Sequence, residues 1–503
     1  MKAKTYLVLL VCAMSLMPAK AQERMMVIAD PHVLPTTLIE ADPDFDQYMQ
    51  SQRKMVDLSE PIWNTLMDTA LKYKPELLLI PGDLTRDGEP ESHELVASSL
   101  KKLQEAGIPS LVIPGNHDLP NGVNWDSLYL NSSLIVAKDQ NSHSYVAEPF
   151  SGLTILGIDA SHDAESTGSL LEPTRVWLMA QADKAVRKGH IVIAMCHWQI
   201  LEHVDMQGMM EKSCRIENAD AFRDSLMQHG VHLVLTGHFH INGISTYIND
   251  EQTDSLTEIT TGSPITYPCP YRMLTLSEDR MNVAVETYNI TRVGAIDDLH
   301  TYSREWMREH AADMLPNLTL RAWKKIDDNM FLVEPYLGSA ITALLKSSFP
   351  QTDSAKIALA EKYLGSTAVE LYLLHSDANE PDYPPADSLA QAFYQGLEDM
   401  IREMTDETMN NAFYSVFQEF IVSTALEVAR EPLQSLVEDR TQWRSELLSN
   451  RTDDLRGTLC IGPSNRAIEE LSAEPAQTRK YIQDGQLLIQ SNGKTYNAEG
   501  KSL

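Results

Sequence analysis

Five separate segments of the chain carry side chains of the types that bind metal cations in proteins. Together they offer carboxylates, imidazoles and one carboxamide, a mixture that suits borderline-hard divalent or trivalent cations better than a thiolate site does. Seven of these side chains could act as ligands, and that number favours two ions about 3.5–4 Å apart with one bridging carboxylate. Such a pair of ions activates water and neutralises phosphate oxygens. The seven are Asp30, His32, Asp83, Asn116, His197, His238 and His240. The segments are Asp30-Pro31-His32, Gly82-Asp83, Gly115-Asn116-His117-Asp118, Cys196-His197 and Gly237-His238-Phe239-His240.

Each of these segments follows a short apolar run, and such Val, Ile and Leu runs are typical of strands covered on both faces. Amphipathic stretches such as Glu60–Lys72 and Ser92–Ala106 lie between the runs, so the pattern predicts an α/β fold. Loops at the carboxyl ends of strands converge on one crevice in an open α/β sheet, which can bring the five segments together. The runs are Met25–Ala29, Leu77–Ile80, Leu111–Ile113, Leu153–Ile158, Ile191–Met195 and Leu233–Leu235.

Each segment alone is a weak signal. An Asp-x-His triplet recurs at Asp298-Leu299-His300 with no strand before it, and a lone histidine at a strand end is more often a hydrogen-bonded structural residue. All five segments in order, each after an apolar run, favour a dinuclear metal site. The glycines before Asp83, Asn116 and His238 would let the backbone turn sharply and approach metal or phosphate closely.

The periodicity of apolar and polar residues differs in the rest of the chain. Residues 257–290 alternate apolar and polar residues as antiparallel strands do. Residues 300–460 show helical periodicity, and the tail carries a hairpin signal that turns at Asn492-Gly493. We therefore predict an α/β domain over 22–295 and a mainly helical domain with a short β tail over 296–503.

The acidic composition limits the kinds of molecule that the protein can bind. The 503 residues carry 41 Lys and Arg against 71 Asp and Glu, a formal charge of −30. This acidity argues against nucleic-acid polymers and anionic lipid surfaces, which need basic patches. It permits a small phosphate ester as substrate, because metal ions would supply positive charge within the site.

The first 21 residues resemble an export signal, with Lys2 and Lys4 before an apolar stretch and Ala19-Lys20-Ala21 as a cleavage site. The alternative is a retained anchor, but the apolar run is shorter than the roughly 20 residues of a spanning helix. We therefore expect a periplasmic or secreted protein. The cysteines after the signal are widely spaced and their pairing stays open; they are Cys196, Cys214, Cys269 and Cys460.

The ordered motifs D-x-H, GD, GNHD, H and GH-x-H resemble those of the calcineurin-like metallophosphoesterase superfamily over about Met25 to Ile290. The resemblance implies a four-layer α/β/β/α sandwich, here followed by a C-terminal helical domain. GDLT followed by Gly88, with Thr261-Gly262-Ser263-Pro264 and Tyr267-Pro268, resembles the bacterial cyclic-nucleotide phosphodiesterase branch.

The same resemblance implies roles for individual residues. Asp30, His32 and His240 would bind one metal ion. Asn116, His197 and His238 would bind the other, and Asp83 would bridge the two. His117 would contact the phosphate and assist the leaving group, and Asp118 would orient His117. The ions would be manganese, iron or zinc.

Two differences from the motifs of other superfamily members reduce the number of activities to consider. Arg86 precedes Asp87-Gly88, in an order different from the Asp-Arg-Gly of protein phosphatases, and Leu84 to Arg86 lack the iron-binding Tyr of purple acid phosphatases. Together with these departures, the resemblance to the cyclic-nucleotide phosphodiesterase branch implies a phosphodiesterase acting on small, cyclic-nucleotide-like diesters. A phosphomonoesterase or nucleotidase, a sphingomyelinase-like hydrolase of phospholipid headgroups, and a non-catalytic binding module with a structural metal centre stay open as alternatives.

Overall fold

The computed structural model describes residues 23–39, 54–161, 167–203, 214–249, 253–311, 349–376, 386–406, 456–460, 478–483, 486–491 and 494–497, with single residues and pairs between 316 and 347. The predicted export signal, residues 1–21, lies outside the described residues. None of the helices in the described ranges is both long enough and apolar enough to cross a membrane.

Strands and helices alternate through the first part of the described chain. The strands are β1 (Glu23–Val27), β2 (Leu77–Pro81), β3 (Ser110–Ile113), β4 (Ile135–Lys138), β5 (Tyr145–Ala147), β6 (Leu153–Ile158), β7 (Ile191–Cys196), β8 (Val231–Thr236), β9 (Gly243–Ile248), β10 (Ser255–Thr260), β11 (Pro270–Leu276), β12 (Asn282–Asn289), β13 (Arg456–Cys460), β14 (Thr478–Gln483), β15 (Gln486–Ser491) and β16 (Lys494–Asn497). The α-helices are α1 (Ser59–Tyr73), α2 (Pro90–Glu105), α3 (Trp125–Tyr129), α4 (Glu172–Arg187), α5 (Ala219–Gln228), α6 (Leu299–Ala311), α7 (Asp353–Ser376) and α8 (Ala386–Asp406).

Two mixed sheets form the centre of the fold. The first has the strand order β13-β12-β11-β1-β2-β3, in which β1, β2 and β3 run parallel. The second has the order β4-β5-β6-β7-β8-β10-β9, in which β6, β7, β8 and β10 run parallel. The parallel strands of both sheets include those that precede the five ligand segments.

The layering follows from the two faces of each strand. On β7, Ile193 and Met195 belong to the large apolar core that joins the two sheets, whereas Val192 and Ala194 pack with the helices α4 and α5. Because successive side chains point to opposite faces, a strand buried on both sides needs the continuous apolar run seen in the sequence. Helices α1 and α2 cover the other side of the first sheet. The predicted four-layer α/β/β/α sandwich is confirmed.

The C-terminal part contributes to this sandwich. Strand β13 pairs with β12 in antiparallel register, and Leu299 of α6 is buried in the large core. These contacts cross the boundary predicted at residues 295 and 296. The tail strands β14, β15 and β16 form a separate antiparallel sheet, and β15 and β16 flank the predicted Asn492-Gly493 turn.

Candidate metal centre

The five ligand segments meet where the parallel strands of both sheets end. Backbone hydrogen bonds join them directly: the Asp30 N–H donates to the Gly82 carbonyl at 3.2 Å, and the Gly237 N–H donates to the His197 carbonyl at 3.1 Å. The first bond links the segments that follow β1 and β2, and the second links those that follow β7 and β8. The sheets thus fix the backbone from which the ligands project.

One set of side chains, which we call the first donor group, consists of Asp30, His32, Asp83 and His240. One ligand atom from each lies within 4.8 Å of the others. His32 Nε2 is 3.1 Å from His240 Nε2 and 3.6 Å from Asp83 Oδ2, and His240 Nε2 is 3.5 Å from Asp30 Oδ1. Two carboxylates and two imidazole nitrogens that converge on one point fit a borderline-hard cation.

The second donor group consists of Asp83, Asn116, His197 and His238. His197 Nε2 lies 3.3 Å from Asp83 Oδ2, 3.2 Å from His238 Nδ1 and 3.2 Å from Asn116 Oδ1. Asp83 Oδ2 therefore faces both groups, while its other oxygen, Oδ1, accepts the His117 N–H at 2.9 Å. The seven predicted ligands lie together, and the shared carboxylate fits a pair of cations.

The electrostatics of the centre hold three of the candidate ligands, Asp83, His238 and His32, in the protonation state that binds a cation. Burial raises the pKa of the Asp83 carboxyl, but the neighbouring imidazoles of His197 and His117 outweigh burial and hold that pKa well below its usual value. Burial followed by the charge of His197 lowers the pKa of His238 to about 3, and burial also holds the pKa of His32 far below its usual value. His238 and His32 are therefore neutral at pH 7, as metal ligands must be.

His197 is held in a defined orientation. Its Nδ1 lies 2.8 Å from the Pro81 carbonyl oxygen, to which an N–H can donate, and Nε2 then faces the second donor group. Such a bond to a backbone carbonyl fixes the tautomer of a metal-binding histidine. Burial opposes charge on His197, but the Asp83 and Asp30 carboxylates outweigh burial and raise its pKa to about 9. A cation that binds at this group must displace that proton.

Three glycines make room for ligands that come from other segments. A Cβ at Gly82 would lie 2.5 Å from His197 Nδ1, one at Gly115 would lie 2.1 Å from Asp83 Oδ1, and one at Gly237 would lie 2.3 Å from Asp30 Oδ2. Gly82 also has φ of +92°, which disfavours any side chain. The sequence suggested close approach to metal or phosphate, and the contacts in the structure are with ligand side chains.

The ligand-bearing loops also adopt unusual backbone conformations. Residues with side chains rarely have positive φ, and such positions cluster at functional sites, at a cost of about 1–3 kcal/mol each. Five of the seven predicted ligands have it, with φ between 41° and 67°; they are Asp30, His32, Asp83, His238 and His240. The fold maintains this strain because the loops are fixed from both sheets, for example by Ser263 Oγ, which donates to the Asp30 carbonyl at 2.6 Å.

His117 lies beside the two donor groups. Its ring centroid is 4.8 Å from that of His32, and its side chain is 30% exposed. The prediction that Asp118 orients His117 is wrong, because the carboxylate that accepts from His117 Nδ1, at 2.8 Å, is Asp87 Oδ1. Asp118 is fully buried and accepts from the backbone of Leu84, Thr85 and Gly115 instead. Its role is to hold the GD and GNHD loops against each other.

Two further carboxylates were missed by sequence reasoning. Asp87 lies 31 positions before Asp118, and no local pattern ties it to His117. Glu258, at the centre of β10, is fully buried and accepts from the Ile200 and Leu201 N–H groups and from Thr236 Oγ1. It thereby supports the loop after His197, and the alternation of apolar and polar residues in β10 gave no sign of this role.

Comparison with known proteins agrees with the fold and the donor groups. Residues 23–242 match the family of calcineurin-like phosphoesterases, and all seven predicted ligands fall within this range. Over these residues the chain is similar to members of that family.

Relatives with individual names cover only part of the chain. A protein of Arcobacter nitrofigilis named "Probable glycerophosphodiester phosphodiesterase" is 31% identical over 173 residues, which make up 33% of this chain and 60% of that protein. A protein of Moraxella catarrhalis named "Probable cyclic nucleotide phosphodiesterase" is 24% identical over 180 residues, 35% of this chain and 62% of that protein. The chain therefore spans about three fifths of the length of these relatives.

A solved structure was also matched. The structure of a dimetal phosphatase from Danio rerio aligns with 52% of this chain and 95% of its own, at 16% identity and a TM-score of 0.41.

Proposed function

We propose that the protein hydrolyses phosphate diesters at a centre of two metal ions. The observation that carries this proposal is the position of Asp83, whose Oδ2 lies 3.6 Å from His32 Nε2 in the first donor group and 3.3 Å from His197 Nε2 in the second. Asp30, His32 and His240 would bind one ion, Asn116, His197 and His238 the other, and Asp83 both. Manganese, iron and zinc all accept this set of oxygen and nitrogen ligands.

The reaction needs a nucleophile, neutralisation of the phosphate charge and a proton for the leaving alcohol. Bound cations would lower the pKa of a water molecule and offset the charge of the phosphate oxygens. His117 supplies the proton: Asp87 holds its Nδ1, so Nε2 on the other edge of the ring can donate to the leaving oxygen. Burial opposes charge on His117, but Asp83 and the hydrogen bond to Asp87 outweigh burial and raise the pKa of His117 above its usual value.

The proposed substrates are small diesters of the cyclic-nucleotide kind. Both named relatives carry phosphodiesterase names, and one of those names specifies cyclic nucleotides. The formal charge of −30 disfavours polyanionic substrates, because parts of such a substrate would lie outside the metal centre, against an acidic protein. His117 and the two donor groups form a compact site that suits a single phosphate group.

The test compares diester and monoester substrates on the same preparation. Protein loaded with Mn²⁺, Zn²⁺ or Fe²⁺ is offered bis-p-nitrophenyl phosphate and p-nitrophenyl phosphate, and release of nitrophenolate is measured. We expect faster turnover of the diester, loss of that turnover in Asp83→Ala, and a smaller reduction in His117→Ala, because nitrophenolate leaves without a proton. Asp68→Ala, on the outer helix α1, serves as the matched control and should retain full turnover.

Other outcomes distinguish the alternatives. Preference for the monoester would favour a phosphomonoesterase or nucleotidase, and hydrolysis confined to sphingomyelin-like headgroups would favour a phospholipid-headgroup hydrolase. A protein that binds metal by elemental analysis but hydrolyses none of these esters would contradict the proposal in favour of a binding module.

We also propose that the protein is exported, on the strength of the signal-like residues 1–21. Expression of the full chain in a bacterial host, followed by N-terminal sequencing of the periplasmic or secreted fraction, tests this. A mature protein that begins at Gln22 is the expected result, and a full-length protein confined to the cytoplasm would contradict it.

A further inference from the structure

Lys54 approaches the metal centre from a segment outside the five motifs. Its neighbours Met55 and Val56 are fully buried in the large core, and the Met55 N–H donates to the Ile265 carbonyl at 2.8 Å. Ile265 follows the Thr261-Gly262-Ser263-Pro264 stretch, whose Ser263 donates to the Asp30 carbonyl. The backbone at Lys54 is therefore tied to the same loops that position the ligands.

The side chain of Lys54 extends from this anchor to the first donor group. Its Nζ lies 3.5 Å from His32 Nε2, the atom that would bind a cation. Its positive charge also acts to lower the pKa values of Asp30, His117 and His238.

Arg86, the arginine next to the GD motif, is oriented differently. Its guanidinium pairs with two carboxylates, at 3.4 Å from Asp87 and 3.6 Å from Glu89. Asp87 in turn accepts from His117, so Arg86 contributes to the arrangement around that histidine. The positively charged side chain beside the first donor group is instead that of Lys54, which comes from a segment outside the five motifs.

We propose that Lys54 is a substrate-binding residue whose ammonium group donates to a non-bridging oxygen of the phosphate ester. A lysine beside two metal cations would be repelled unless an anion lies between them, and the phosphate group is that anion. The flexible four-carbon stem lets the ammonium group move from its position beside His32 onto the bound ester. The inference deepens the proposed function and rests on it, because it assigns a residue to the phosphate of that reaction.

The test measures phosphate binding separately from catalysis. Metal-loaded wild type, Lys54→Met, Lys54→Arg and the control Lys72→Met, on the exposed side of α1, are titrated with inorganic phosphate by calorimetry, and bound metal is quantified in each. We expect Lys54→Met to bind phosphate about tenfold more weakly or worse, because a charge-assisted hydrogen bond is lost. Lys54→Arg should retain most of the wild-type affinity for phosphate. All four proteins should contain the same amount of metal per chain.

Two results would overturn the inference: phosphate affinity in Lys54→Met within twofold of wild type, or metal lost from Lys54→Met in proportion to its loss of phosphate binding. The kcat/KM for bis-p-nitrophenyl phosphate separates this failure from failure of the proposed function. If wild type hydrolyses the diester and Lys54→Met does so equally well, only the role of Lys54 is wrong. If wild type hydrolyses no ester but Lys54→Met still binds phosphate weakly, the proposed reaction is wrong and Lys54 remains an anion-binding residue.

Discussion

His117 Nδ1 lies 2.8 Å from Asp87 Oδ1, and this contact places a histidine with a carboxylate partner beside the two donor groups. The partner fixes the tautomer of the imidazole and stabilises its protonated form, whose Nε2 can donate a proton. The chain contains a second pair of the same kind, because His143 Nδ1 lies 2.7 Å from Asp126 Oδ1 on α3. The second pair provides a control for the first.

Asp87→Asn should reduce diester turnover about 10- to 100-fold, because His117 loses the group that orients it and supports its charge. The reduction should be greatest for esters of alkyl alcohols and smaller for p-nitrophenyl esters, since nitrophenolate leaves without a proton. Steady-state kcat with both leaving groups measures the difference.

Asp126→Asn should leave turnover of both kinds of ester at the wild-type level. Equal losses for the two leaving groups in Asp87→Asn would show that Asp87 supports the loop rather than proton transfer. His117→Ala, which removes the proton donor itself, should cost about 10²- to 10⁴-fold with the alkyl ester.

Removal of single ligands should change metal content in a pattern set by the shared carboxylate. His240→Ala should lose the ion of the first donor group and His238→Ala the ion of the second, so each would retain about one ion per chain. Asp83→Ala should bind both ions weakly, because its Oδ2 faces both groups. Elemental analysis after gel filtration measures these contents.

His229→Ala is the matched control for the ligand variants, because its imidazole pairs with Asp183 at 2.8 Å, outside both donor groups. It should retain the metal content of wild type. If Asp83→Ala kept one ion at full occupancy, the bridging role assigned to Asp83 would be wrong.

Metal binding should release protons near neutral pH, one from His197 and one from Asp30, because burial raises the pKa of the Asp30 carboxyl to about 8. In the metal-free protein the pKa of His197 is raised to about 9, because Asp83 and Asp30 outweigh the effect of burial. Its imidazole is therefore protonated at pH 7 and must lose about one proton to act as a ligand. Metal affinity should rise as the pH increases from 6 towards 9 and level off above 9.

Calorimetric titration of the metal in buffers of different ionisation enthalpy counts these protons. His197→Ala should release fewer protons than wild type at pH 7. His238→Ala should release as many protons from His197 as wild type does. His238 itself contributes none, since its pKa is lowered to about 3 and its imidazole is already neutral. A heat that does not depend on the buffer would contradict the assignment.

Gly115→Ala should weaken metal binding without removing a ligand. The added Cβ would lie 2.1 Å from Asp83 Oδ1 and 2.5 Å from the Asp83 backbone nitrogen, so the carboxylate must move. We expect metal affinity to fall about tenfold or more, as happens when the support of a ligand is disturbed. Gly107→Ala, at a position with nothing within 4 Å of the new Cβ, is the control.

Gly107→Ala should retain metal affinity even if the positive φ of that glycine lowers the melting temperature. Equal metal affinity in Gly115→Ala and wild type would show that Asp83 can be displaced without consequence for the centre.

The sequence by itself identified the residues that meet in the two donor groups and the strands that precede them. Each ligand segment follows directly on an apolar run, so a few consecutive residues encode both the strand and the side chain at its end. The six predicted runs correspond to β1, β2, β3, β6, β7 and β8. Strands β4, β5 and β9 were not predicted, because β4 and β9 are partly exposed and β5 has only three residues. Strand β13 was not predicted either, because it ends the range 300–460 that we assigned to helices.

Only the tertiary structure decided which distant residues meet. The division of the parallel strands between two sheets, the pairing of β13 with β12, and the arrival of Lys54 beside His32 all depend on contacts between residues far apart in the chain. The partner of His117 shows the reason most directly. Asp118 is its neighbour in sequence, but the turn directs the Asp118 carboxylate into backbone N–H groups, and the fold brings Asp87 from 30 residues away to His117.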